Sequence, residues 1–462
     1  MDDSKTSGAM TVEQVRADAQ AVVRATDAAW VSQDPAQMLA ALQGCDRVLK
    51  AMPEEKTVAE SGAPDPADPL ARERAQVWLW RGRLLVVADN MDLVVKGLQS
   101  LDQAIARLLT VVGREGGLGA EELLSIAWMN RGSGLFRLGS REALEEAVRC
   151  YEKAIELLAR GPAEARNALG AAWMNRGVGL MQLDHIKDTK ESIAARLAES
   201  AKSLERAVEI LAPLAATQSI AQRNLASAWA NLGMVRTRLE NIAGAVEAHR
   251  QAVQLFRPIA AVTGSAGAFE LAARLFNLSQ ASGASGEVDG ALAAGREALA
   301  LADTVDAADL HAAELALRAR HALCVVLGGQ LAAGRVQVND PERSARLEEA
   351  GDLVEDGLAS LAARQQTTVG MVTAGARLYE FGAWLYRTQQ PQFLGEFLLE
   401  HLGEDPARTK IAEAALAAAR QAVVQRNFND GSHGGMERVL DLLQSLGAVD
   451  ARLKEQRAVA TG

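Results

Sequence analysis

The nine residues Ala127-Trp128-Met129-Asn130-Arg131-Gly132-Ser133-Gly134-Leu135 return as Ala172-Trp173-Met174-Asn175-Arg176-Gly177-Val178-Gly179-Leu180. A looser copy is Ala228-Trp229-Ala230-Asn231-Leu232-Gly233, and a weaker one is Arg274-Leu275-Phe276-Asn277-Leu278-Ser279. A chain that copies itself at this interval is built from one supersecondary unit used repeatedly. On a helix, Trp128, Gly132, Leu135 and Leu138 share one face, which predicts burial. The small residue one turn after the Trp lets a neighbouring helix approach closely, a role open to Gly132, Gly177 and Gly233.

Each copy is followed by a second helical phrase: Ala147, Tyr151 and Ala154-Ile155 after the first, then Ser200, Leu204 and Ala207-Val208, then Ala245, His249 and Ala252-Val253, then Ala291, Gly295 and Ala298-Leu299. The unit is therefore a helical hairpin. An aromatic, a small residue four positions on, and Ala, bulky residue and Ala in the partner helix resemble the tetratricopeptide repeat family. The likeness is closest around Trp229, Leu232, Gly233, Ala245, Ala252 and Pro258.

Gly233 to Ala252 and Ser279 to Ala298 both measure 19 residues, as in the family, whereas Gly82 to Ala104 and Gly132 to Ala154 measure 22, and Gly177 to Ala207 measures 30. The last excess is close to whole helical turns, so residues 184 to 190 can lengthen a helix without rotating its buried face. Small residue to small residue, the units are 50, 45, 56 and 46 apart, longer than the family's ~34.

The resemblance implies an all-α, right-handed α-solenoid of stacked helical hairpins with divergent helical caps at both ends. We expect an N-terminal helical cap over 1–52, a Pro-rich linker over 53–69, the repeat array over 70–305, and divergent helical repeats with a C-terminal cap over 306–462. Within the cap, Asp34 before Pro35 reads as a helix start. The glycines from Gly113 to Gly119 lack a following Lys-Ser/Thr and read as a connection. The aromatics Tyr379, Phe381, Trp384 and Tyr386 are expected to pack the C-terminal cap, and Trp128, Trp173 and Trp229 to be buried between hairpins.

Hydrophobic residues make up 49% of the 462, enough for a core, while aromatics at 4% suit closely packed, Ala-rich helices. The net charge of -10 speaks against a nucleic-acid backbone as partner and favours a neutral or basic one. Cys45, Cys150 and Cys324 are too few and too scattered for a disulfide framework. With no basic leader and no long apolar run, a cytoplasmic protein without membrane partners is expected.

Chemistry is absent from the motifs. None of His185, His249, His311, His321, His401 and His433 has helical metal-ligand spacing. Pairs such as Glu121-Glu122 read as solvated faces, and no nucleophile elbow occurs. The expectation is a non-enzyme without cofactor or metal. Arg81, Arg131 and Arg176, each three residues after a Trp, read as buried stems with solvated heads.

The recurring asparagines Asn130, Asn175, Asn231 and Asn277 stand two residues before the small residue of four successive units. In proteins of the resembled family, asparagines at the matching place line the concave groove and bond the backbone of an extended peptide, for which an amide offers both donor and acceptor. Seven residues on, along the same face, come Arg137, Gln182, Arg238 and Ala284, which would add selectivity for side chains. Trp80 interrupts the row in the first repeat. Two functions follow: a scaffold or adaptor holding a segment of a partner protein in the groove, or a regulator whose superhelix responds to a peptide. An apolar stripe of Val439, Leu443, Leu446 and Val449 offers self-association through the C-terminal helices.

Overall fold

The computed structural model describes residues 11–32, 34–53, 68–115, 118–183, 188–306, 308–333, 341–390, 393–403, 405–425, 444 and 446–457. All regular structure among them is helical. The elements are α1 (Val12–Ser32), α2 (Pro35–Ala51), α3 (Ala71–Val86), α4 (Met91–Glu115), α5 (Leu118–Leu138), α6 (Arg141–Leu158), α7 (Arg166–Gln182), α8 (Lys190–Ala215) and α9 (Ser219–Arg238). They continue as α10 (Ile242–Ala260), α11 (Gly264–Ser285), α12 (Val288–Thr304), α13 (Leu310–Ala332), α14 (Pro341–Ala362), α15 (Val369–Gln389), α16 (Leu394–His401) and α17 (Pro406–Gln425). A last helical stretch covers 446–457.

Local chemistry marks the ends. Asp34 accepts from the Ala36 N–H at 2.9 Å; Ser140, Thr189, Asp309 and Thr368 likewise cap α6, α8, α13 and α15. Gly286, at φ +83°, ends α11 in the left-handed conformation, and the next N–H, of Glu287, reaches back to the Ser282 carbonyl. The Pro-rich linker expected over 53–69 falls almost wholly outside the described residues.

The contacts divide the chain into two units, 1–241 and 242–462. Unit 1 stacks the hairpins α1/α2, α3/α4, α5/α6 and α7/α8 and closes on α9; unit 2 opens on α10 and continues with α11/α12, α13/α14 and the helices after them. In each hairpin of unit 1 the small residue of the first helix receives the bulky residue of the second. A Cβ on Gly82 would stand 2.6 Å from Leu101 Cγ, on Gly132 2.6 Å from Tyr151 Cε1, and on Gly177 2.7 Å from Leu204 Cγ. These helices touch only because a hydrogen stands there.

The second glycine of each motif faces the preceding hairpin. A Cβ on Gly134 would meet Leu98 and Val86 at 2.9 Å, and one on Gly179 would meet Val148 at 3.0 Å. One motif thus holds two contacts, within a hairpin and between hairpins. The N-terminal pair obeys the same register, with Thr26 in the glycine's place and Cys45 in the bulky residue's place, both fully buried and 4.0 Å apart.

The extra length between Gly177 and Ala207 is shared between the second helix, since α8 begins 17 residues before Ala207 and α6 only 13 before Ala154, and the longer connection from Gln182 to Lys190. Trp128 is buried, as expected, but Trp173 and Trp229 are only half-buried. Trp173 nevertheless packs on the cluster that contains Trp128, Leu158 and Ala172.

In unit 2 the C-terminal aromatics do pack the core. Tyr379 is fully buried, stacks on Phe397 at 5.4 Å and donates its hydroxyl to the Leu398 carbonyl. Leu446 and Val449 are buried in the same cluster with Leu453. Half of the stripe expected to carry self-association is therefore already covered by its own unit; Val439 and Leu443 lie outside the described residues.

Candidate functional site

Within unit 1, successive first helices touch one another (α1 with α3, α3 with α5, α5 with α7, α7 with α9), while among the described residues the successive second helices do not pack together. The first-helix layer is therefore the more closely packed layer of this unit. The seams between its helices are where the asparagine row lies.

The α7–α9 seam fixes the geometry. Asn224 donates to Asn167 Oδ1 across it at 3.1 Å, and fourteen residues along the same face of α9, Arg238 donates Nη1 to the Met181 carbonyl at 2.7 Å. Asn231 sits midway, seven residues from each. The α3–α5 seam repeats this: Arg137, seven residues after Asn130, donates Nη1 to the Val86 carbonyl at 3.2 Å. Each arginine thus meets carbonyls that the last turn of the preceding first helix leaves without intrahelical donors.

Asn130, Asn175, Asn231 and Asn277 are all half-buried, and Gln182 is exposed. Asn130 turns its amide N–H back to the Ile126 carbonyl at 2.8 Å. Among the described residues the side chains of Asn175, Asn231 and Asn277 make no hydrogen bond, so each carries a donor and an acceptor unclaimed by the fold. Asn277 belongs to α11 of unit 2 and is considered there by itself.

At the first repeat the same place holds Trp80, which is buried. Arg83 lies between the rings of Trp80 and Trp30, 4.7 and 4.1 Å from their centroids, with Asp27 at 3.5 Å. Burial pushes the guanidinium down and Asp27 pulls it back up. This stack fastens α1 to α3, and the asparagine chemistry begins only at α5.

The other arginine series turns away from the seam. Arg81 bonds Asp46 at 2.7 Å and Ser100 at 2.6 Å; Arg131 bonds Asp102 at 2.7 Å, Glu146 at 2.8 Å and the Cys150 sulfur at 3.0 Å; Arg176 bonds Glu152 at 3.0 Å and Ser203 at 2.6 Å. Every one joins a carboxylate on the preceding second helix to a small side chain on its own. Each also lies 5.6 to 5.9 Å from the ring of its Trp. The expected solvated heads are in fact bound inter-hairpin fasteners, because carboxylates stand within reach.

The three cysteines are not placed as nucleophiles. Cys45, Cys150 and Cys324 are fully buried, and burial pushes each thiol up, that of Cys45 to about 11. Among the described residues no group of three His, Cys, Asp or Glu side chains assembles as metal ligands, and no helix is long and apolar enough to cross a membrane. In a shallow hollow beside Glu287, Asp289, Gln330 and Arg346, Glu287 pairs with Arg250, and Arg346 with Gln330 and Glu342.

No family model and no curated protein matches the chain. Among solved structures, Rap protein complexed with Competence and Sporulation Factor aligns at 14% identity over 96% of this chain and 99% of that one, with a TM-score of 0.42. BtubC (BKLC) from P. vanneervenii aligns at 14% identity over 60% and 94%, with a TM-score of 0.40. The hairpin register of small residue, bulky residue and alanine, described above, gives the described chain a helical-hairpin repeat fold that resembles tetratricopeptide repeats.

Proposed function

We propose that unit 1 is a non-enzymatic scaffold whose first-helix layer holds an extended segment of a partner protein, with Asn130, Asn175 and Asn231 bonding its backbone and Arg137, Gln182 and Arg238 reading its side chains. One observation carries this reading: half-buried amides at Asn175 and Asn231 recur once per repeat with neither donor nor acceptor used by the fold. A peptide unit offers one N–H and one C=O, which is the complement of a primary amide. Asn277 repeats the arrangement within unit 2.

Each such bond contributes ~1 kcal/mol net, and leaving the partner's groups unpaired raises the cost of losing it. Replacing Asn175 and Asn231 together by Ala should lower affinity for a captured partner by roughly tenfold to a hundredfold, read by titration calorimetry. Helicity by circular dichroism should not move, since the fold does not use these amides. Binding that survives the double change would place the interface elsewhere.

A further inference from the structure

We infer that Met174 and Met234 select the side chains of the held segment, and that the stretch lying along the α7–α9 seam is apolar and uncharged. This rests on the reading above, that the first-helix layer holds an extended chain, and adds the chemistry of the occupant.

The register of the seam places the residues. Asn224 with Asn167 and Arg238 with Met181 both pair positions 57 apart, so Asn231, midway between them, stands opposite Met174. In the α3–α5 seam the register is 51, set by Arg137 and Val86, and it puts Leu79 opposite Asn130. Leu79 and Met174 hold the same place, three residues before the small residue of their repeats. The outcomes differ. Leu79 is fully buried, and Asn130 turns its amide onto its own helix. Met174 is half-buried, and the Asn231 amide stays unclaimed by the fold. A peptide unit bonded by that amide therefore lies beside a thioether.

The rest of the strip has the same character. On α7, Ala171 and Val178 share the face of Asn175, with Met174 at its edge towards α9; on α9, Ser227 and Met234 share the face of Asn231. All of them are half-buried. The one charged residue between Ala171 and Val178 is Arg176, which turns away to Glu152 and Ser203, and none stands between Ser227 and Met234. A chain whose peptide units satisfy Asn175 and Asn231 must lay side chains on this strip. A charged one would lose water there without gaining a partner. Methionine is unbranched and polarisable and adapts to aliphatic and aromatic groups of different shape, so the strip selects apolar character rather than one residue type.

Fluorescence anisotropy with the full chain and labelled Gly/Ser-based peptides of about a dozen residues, carrying several Leu, Gln, Glu or Lys, tests this. The Leu peptide should bind about tenfold tighter than the Gln peptide, and the advantage should not shrink as salt rises. Met174→Gln with Met234→Gln, which keeps side-chain length but not apolar character, should abolish the advantage and leave the Gln peptide unaffected; Asn175→Ala with Asn231→Ala should weaken both peptides alike. Met174→Leu with Met234→Leu should retain the preference and guards against misreading a folding defect. Leu and Gln peptides that bind equally, both weakened by the asparagine changes, would overturn the apolar selection while sparing the reading on which it rests. A Leu advantage lost with the methionines, in a chain whose binding ignores the asparagine changes, would keep the selection and remove the asparagine bonding. A Leu advantage insensitive to the methionine changes, tightest binding of the Glu or Lys peptide, or no binding by any peptide would also overturn the selection.

Discussion

His249 occupies the bulky place of its repeat, where α4, α6 and α8 carry Leu101, Tyr151 and Leu204, and it is only 3% exposed with no partner for Nδ1. Burial pushes its imidazole down from 6.5 to about 4. The unfolded chain therefore takes up a proton as pH falls below about 6.5, and the folded chain does so only near 4. Stability is fully present above the upper value and is lost as pH falls towards the lower one, by about 2 kcal/mol at pH ~5. Urea unfolding of His249→Leu should lose most of that slope between pH ~7 and ~5; an unchanged slope would assign it to other groups. The sequence showed the place of His249 but not its isolation, because a missing hydrogen-bond partner is a property of the packed surroundings. Glu240 is a second residue-scale case. It is the one non-glycine at positive φ among the described residues, at 59°, ending α9 where the Asn241 N–H reaches back to the Arg236 carbonyl. Glu240→Gly should raise stability by ~0.5 to 1 kcal/mol by removing left-handed strain, less the entropy that glycine adds to the unfolded chain. A lowered melting temperature would contradict this.

At the scale of the element, the hairpin contact was legible because both halves recur in fixed order: Gly132 with Tyr151, and Gly177 with Leu204. A Cβ on Gly177 would also stand 3.1 Å from the Ser200 carbonyl, and Ser200 itself donates to the Gly177 carbonyl at 2.6 Å. Gly177→Ala should therefore cost about 1 to 3 kcal/mol, and Leu204→Ala in the same chain should recover little, since backbone as well as side chain blocks the added carbon. Full recovery in the double variant, measured as a double-mutant cycle, would show the leucine to be the whole obstacle. The arginine fasteners were not legible in the same way. Arg81, Arg131 and Arg176 recur visibly, but their acids follow the bulky residue of the preceding hairpin: Asp46 after Cys45, Asp102 after Leu101 and Glu152 after Tyr151. That pairing is readable only once it is known which second helix each first helix meets.

For the whole molecule, the net charge of -10 hides local differences, since α7 and α9 together hold five arginines and no acid. A sum over a chain discards where along it the charges stand. The division at Asn241 was equally hidden, because the repeat runs through it: Gly233 and Ala252 keep the family's spacing on either side. Nearest-neighbour arrays distribute stability locally, and a chain of 462 residues in two contact-dense units has no single core to make it unfold as one. Each unit has a large buried side chain that reports on it alone: Tyr151 in unit 1, received by Gly132, and Tyr379 in unit 2, held by Phe397 and the Leu398 carbonyl. Truncating either to Ala should cost ~3 to 5 kcal/mol. Denaturant unfolding followed by tryptophan fluorescence and by hydrogen exchange should then show two steps. Tyr151→Ala should move only the step reported by exchange in α5 to α8, and Tyr379→Ala only the step reported in α13 to α17. One coincident transition displaced by both variants would mean that the array unfolds as a single cooperative body, and the division of contacts would then have no thermodynamic counterpart.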